Sequence, residues 1–132
     1  MSAGLLAGVV LAAHLAVIAF NVFGLVAIPL GAWRRWSFVR ARGWRLLHLA
    51  SLAVVAAQAL LGRACFLTIW QDDLAGAEAG EPLVMRLVNR LVYWPLPAWV
   101  FTAAYVAVFV YVVALWLAVP PRPSRRPSSG RR

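Results

Sequence analysis

From Leu5 to Leu30 the chain runs for 26 residues without a single Asp, Glu, Lys or Arg. At about 1.5 Å per residue a helix of that length reaches roughly 39 Å, more than the ~30 Å hydrocarbon core of a bilayer. No basic residue precedes the run, and it is too long for the apolar stretch of a cleaved signal peptide, so it is expected to remain as a membrane span. Leu96 to Val119 repeats the pattern: it carries no charge, holds twelve Leu, Val and Phe residues, and stops at Pro120 and Pro121. Between them, Leu46 to Gly62 has 17 residues and includes His48, Ser51 and Gln58. Its eight Leu and Val residues contribute about −2.4 to −4.8 kcal/mol on the insertion scale, which the polar groups oppose. It reads as a marginal span that needs its neighbours.

Composition agrees, with 64% hydrophobic and 13% charged residues and a mean hydropathy of +0.80, against roughly half and a quarter in soluble domains. The net charge of +9 would suggest nucleic acid in a soluble protein. Here the arginines flank apolar runs, where anionic headgroups are the nearer partner, and no nucleic-acid partner is expected. The single cysteine, Cys65, excludes an internal disulfide.

Charge placement sets the topology. Arg34, Arg35, Arg40, Arg42 and Arg45 lie between the first two spans, Arg122, Arg125, Arg126, Arg131 and Arg132 follow the last, and all four carboxylates lie in 72–81. Positive loops stay cytoplasmic, and two segments on the same side are separated by an even number of crossings. Three spans therefore place the N-terminus and the acidic loop outside and the C-terminus in the cytoplasm. Leu83 to Trp94, with Arg86, Asn89 and Arg90 at i, i+3 and i+4, reads as an interfacial helix, because about 18 Å of helix does not cross a bilayer. Trp33, Trp36, Trp44 and Trp116 fall at the inner interface and Trp70, Trp94 and Trp99 at the outer one.

The expected fold is thus an all-α integral membrane protein of three transmembrane helices, near 5–30, 45–62 and 96–119, plus one short interfacial amphipathic helix near 83–94. Residues 1–119 form a single membrane domain, and 120–132, made of Pro, Ser, Gly and Arg, is expected to be a disordered cytoplasmic tail.

The polar residues within the spans are the candidates for chemistry. At about 100° per residue, Arg45, His48, Ser51 and Gln58 share an arc of about 140°, with Ala50, Ala53 and Ala57 opposite. The first span is expected to meet the polar face, and the third to pack on the small Ala53/Ala57 face. His14 and Asn21 lie on one side of the first span. Counted from the inner ends, His14 sits at roughly 24 Å and Gln58 at roughly 20 Å, Asn21 near 14 Å and Ser51 near 9 Å. The expected interhelical polar contacts are therefore His14 with Gln58 and Asn21 with Ser51. His48, about 5 Å inside the inner end, is expected to snorkel toward headgroups. Two histidines invite a haem, but a depth difference of about 19 Å is too great for both to bind one iron. No cofactor is expected, no spacing of His, Cys and carboxylate predicts a metal, and no catalytic set is present. At the outer end of the second span, Cys65, Thr68 and Trp70 form a loop motif in which Thr68 caps a turn and Trp70 anchors at the interface.

His14, Arg-Leu-Leu-His at Arg45 to His48, Cys-Phe-Leu-Thr-Ile-Trp-Gln at Cys65 to Gln71, and Tyr-Trp-Pro-Leu-Pro-Ala-Trp-Val-Phe at Tyr93 to Phe101 together resemble the small bacterial membrane proteins of domain of unknown function 2784. Members usually carry Pro after the Cys and often Glu after the Trp, where this chain has Phe66 and Gln71. The resemblance implies a bacterial inner membrane, and the family name assigns no activity, so it leaves function open. The expected function is a non-enzymatic accessory or scaffold subunit whose partners are the bilayer and another membrane protein or a second copy. The alternative is a lipid-, quinone- or haem-binding redox protein whose cofactor-binding residues are His14, Gln58 and His48.

Overall fold

The computed structural model describes residues 2–76, 87, 90 and 96–122. The described residues are helical, with no strand: α1 (Ala3–Trp33), a 3₁₀ turn (Phe38–Arg40), α2 (Arg42–Leu60), α3 (Phe66–Ala75) and α4 (Ala98–Ala118). α1, α2 and α4 are each long and apolar enough to cross a membrane. The interfacial helix expected near 83–94 lies outside the described residues apart from Leu87 and Arg90, as do residues 123–132 of the tail.

α1 has 31 residues and α2 has 19, so α1 overreaches α2 by roughly 18 Å. α3, about 15 Å long, packs against α1 and accounts for that overreach. The α1 seam follows a 3-4 repeat, with Val10, His14, Asn21, Gly24, Ile28 and Gly31 buried. The segment that carries Cys65, Thr68, Trp70 and the first two carboxylates, expected as an outer loop, is thus largely helical, and Thr68 is not a cap. Cys65 is the N-cap residue, its carbonyl accepting from Thr68 N–H at 2.8 Å and Ile69 N–H at 3.1 Å. Thr68 and Asp72, four residues apart, face inward, while Phe66, Ile69 and Trp70 are exposed. This apolar-out polarity suits lipid on the outside.

Of the Ala53/Ala57 face expected to receive the third span, Ala57 is exposed and Ala53 is half-buried, and Ala50 beside them is exposed. α4 instead meets the side of α2 that carries Arg45 and Ala59. Thr102 Oγ1 donates to Ala59 O at 3.4 Å, and Arg45 reaches the far end of α4. The α1-facing seam of α2, with His48 and Ser51, lies roughly 100° from the α4-facing seam. A middle helix in a three-sided bundle meets both neighbours on adjacent faces, which leaves Ala50 and Ala57 exposed.

The arginine end of the bundle is tied by side chains. Arg45 is 1% exposed; its guanidinium donates to Val119 O at 2.9 Å, Leu115 O at 3.0 Å and Val39 O at 3.5 Å and stands 5.4 Å from the Trp116 ring centre. Val39 is fully buried, and a Cβ added at Gly31 would collide with it. α1 ends in a Schellman motif: Trp36 N–H donates to Gly31 O at 2.8 Å and Arg35 N–H to Ala32 O at 3.4 Å. The left-handed position of that motif, normally glycine, holds Arg35 at φ +58°, a cost of about 1 kcal/mol.

Candidate functional site

The two polar pairs expected between α1 and α2 differ in outcome. Asn21 Nδ2 donates to Ser51 Oγ at 2.9 Å. His14 and Gln58 make no hydrogen bond to each other; His14 Nδ1 and Gln58 Oε1 are both buried and unpartnered among the described residues. Both line one cavity of about 440 Å³ bounded by α1, α2, the link between α2 and α3, α3 and α4. The Asn21 to Ser51 bond should be worth about 0.6 kcal/mol, so a double-mutant cycle with Asn21→Leu and Ser51→Ala, read by thermal unfolding in mild detergent, should show coupling of that size.

The cavity walls are apolar, with Ile18, Leu25, Leu52, Val55, Phe101 and Val108 among them. Polar groups enter from every side: His14 and Asn21 from α1, Gln58 from α2, Arg63 and Cys65 from the link, Thr68 from α3, Thr102 and Tyr105 from α4. Thr68 is 1% exposed. Its hydroxyl, His14 Nδ1, Gln58 Oε1 and Asn21 Oδ1 are buried atoms with no hydrogen-bond partner among the described residues. An unsatisfied buried polar atom costs about 1–3 kcal/mol, and native proteins keep such atoms rare. Four of the six such atoms among the described residues belong to side chains that line this one cavity, the others being His48 Nδ1 and Gln71 Oε1.

Of the expected outer motif, Cys65 and Thr68 line the cavity, whereas Trp70 is exposed. His48 does not snorkel. It is 0% exposed, its Nε2–H donates to Asn21 O at 3.0 Å, and a Cβ on Gly24 would overlap its ring. The ring stacks on Trp44 at 5.8 Å and meets Phe20 edge-on at 5.7 Å, within a cluster that extends through Phe23, Phe38 and Trp36. A glycine notch opposite a helix carrying two aromatic residues a turn apart explains this inward course. His48 lies outside the cavity lining, so the two histidines do not both face this space.

Sequence reasoning passed over Thr102 and Tyr105. They are the hydroxyls of the third span nearest its start, spaced i, i+3, which is the signal that could have found them.

The architecture is that of a small helical bundle whose three membrane-length helices, with one short helix, border a partly open, mostly apolar cavity lined also by hydrogen-bonding side chains. The chain belongs to the family described as Protein of Unknown function (DUF2784), whose model matches residues 4–121. No curated protein and no solved structure matches it.

Proposed function

We propose that this protein resides in the bacterial inner membrane, N-terminus outside and C-terminus in the cytoplasm, and binds a neutral amphipathic small molecule in the cavity. The observation that carries this reading is the set of polar atoms on His14, Asn21, Gln58 and Thr68 that have no partner among the described residues, around an apolar space of about 440 Å³, a size within the range of ligand pockets. His14 and Gln58 offer donors or acceptors, Thr68 offers a hydroxyl, and the aliphatic walls suit a hydrocarbon body. A carbonyl- or hydroxyl-bearing head on an isoprenoid or acyl chain fits both features; isoprenoid quinones and neutral lipids are the chemical classes in view. The charge pattern of the sequence supports the orientation.

Purification in mild detergent, followed by mass spectrometry and an absorption spectrum of the extract, tests this. One retained amphipath at near-stoichiometric amount is expected, and the two measurements separate quinone, lipid and haem. His14→Leu with Gln58→Leu should lower retention about tenfold or more, since each removes a hydrogen bond of about 1 kcal/mol, while the protein stays folded. Wild-type protein that retains nothing and takes up neither quinone nor lipid from mixed micelles would refute the reading.

A second reading, an accessory or scaffold subunit, is supported by α4, where Val112 is the one buried residue. A dominant higher-mass species on native electrophoresis from membranes is the result expected of it, and a lone monomer counts against it.

A further inference from the structure

Three arginines far apart in sequence meet at one end of the bundle. Arg35 follows α1, Arg40 ends the 3₁₀ turn and Arg122 follows α4, and together with Ala32 they line a pocket of about 380 Å³. The third arrives through a backbone bond, Arg122 N–H to Arg40 O at 3.0 Å.

The ordinary role for arginine here is to cap helix carbonyls, because α1 and α4 both end at this pole. Arg45 fills that role, with three carbonyls on its guanidinium. The side chains of Arg35, Arg40 and Arg122 make no hydrogen bond or ion pair among the described residues, so their donors are uncommitted. Of the side-chain carboxylates, all within 72–81, Asp72 and Asp73 lie on α3, which follows the opposite end of α2. Arg35 and Arg122 are exposed and Arg40 is half-buried, so solvent screens their mutual repulsion in part, and an anion among the three relieves the remainder. Arg35 also holds a left-handed backbone position at φ +58° where glycine would be relaxed, so the side chain is kept at a conformational cost.

We propose that Arg35, Arg40 and Arg122 form a phosphate-binding site that takes the phosphodiester of an anionic phospholipid. Guanidinium groups bind phosphate oxygens through paired, charge-assisted hydrogen bonds. The site sits at the ends of two membrane-length helices, at the depth where headgroups lie. It is independent of the cavity at His14 and Gln58, and either reading can fail without the other.

Full-length protein in neutral detergent is titrated with phosphatidylglycerol or phosphatidylcholine, and bound lipid is counted by native mass spectrometry. Phosphatidylglycerol should bind at least about tenfold more tightly, and Arg35→Gly and Arg40→Gln should each remove most of that preference. Arg35→Gly should leave the unfolding temperature unchanged or higher, because glycine suits the left-handed position; a loss of binding in a protein no less stable is not a folding defect. Arg34→Gln removes the neighbouring charge without touching the pocket and should change binding less than about twofold. Inorganic phosphate is added as competitor: displacement of the lipid identifies the bare anion as sufficient, and persistence of the lipid identifies the headgroup in its membrane setting. Equal losses in Arg34→Gln and Arg35→Gly reduce the effect to diffuse charge and overturn the site, as does equal binding of the two lipids.

Discussion

Replacing Arg45 with leucine is expected to cost about 3 kcal/mol and to free the end of α4 from the turn at Val39. The guanidinium carries charge-assisted bonds to Val119 O and Leu115 O, each of a kind worth about 1.5–3 kcal/mol. Leu115 O still accepts from Val119 N–H in the variant, so the larger loss falls on Val119 O. The contact over Trp116 adds about 0.5–2 kcal/mol. Arg45→Lys should recover less than half, because an ammonium is a point donor that does not fork between two carbonyls. Circular dichroism of thermal unfolding in mild detergent measures both. An Arg45→Leu protein that melts with wild type would show that these Arg45 bonds do not hold α4 in place.

Gly24→Ala is expected to cost about 2–3 kcal/mol, at the upper end for an added methyl group, because the new Cβ meets a buried ring rather than the tip of a flexible chain. His48 has little room to retreat: Trp44 stacks on one face and Phe20 abuts it, and moving it breaks the bond to Asn21 O. Gly24→Ala combined with His48→Ala should therefore cost less than the two single changes added together, by about 1 kcal/mol or more. Additive costs in the same unfolding assay would show that notch and ring do not depend on each other.

Much of the fold was legible because it is set by composition over long windows. The runs near 5–30, 45–62 and 96–119 correspond to α1, α2 and α4 within a few residues. The bond between Asn21 and Ser51 follows from helical rise counted up from charged ends. α3 was hidden because its ten residues carry a polar stripe, Thr68 and Asp72, toward the protein and apolar side chains outward. That polarity is the reverse of the soluble amphipathic pattern, and it reads as a loop when charge alone is followed. Small residues such as Ala53 and Ala57 permit close helix approach but do not compel it, and Arg45 bonds α4 on the adjacent face.

The candidate site was half visible. His14 and Gln58 stood out as polar groups within apolar runs, and their depths brought them near each other. Their relation is across a cavity rather than through a bond. That distinction depends on side-chain direction, which a rise of about 1.5 Å per residue does not encode.

By itself the sequence determined that this chain forms long apolar helices, how many are of membrane length, and which charged segments flank them, because the free energy of placing charge against hydrocarbon depends on composition and order alone. Only the tertiary structure decided which polar groups find partners. It turned His48 inward against Gly24, left His14, Gln58 and Thr68 facing one space, and gathered Arg35, Arg40 and Arg122 from three segments. Those outcomes depend on the rotation of each helix about its axis and on where short connections return the chain, and both are settled by packing between residues distant in sequence.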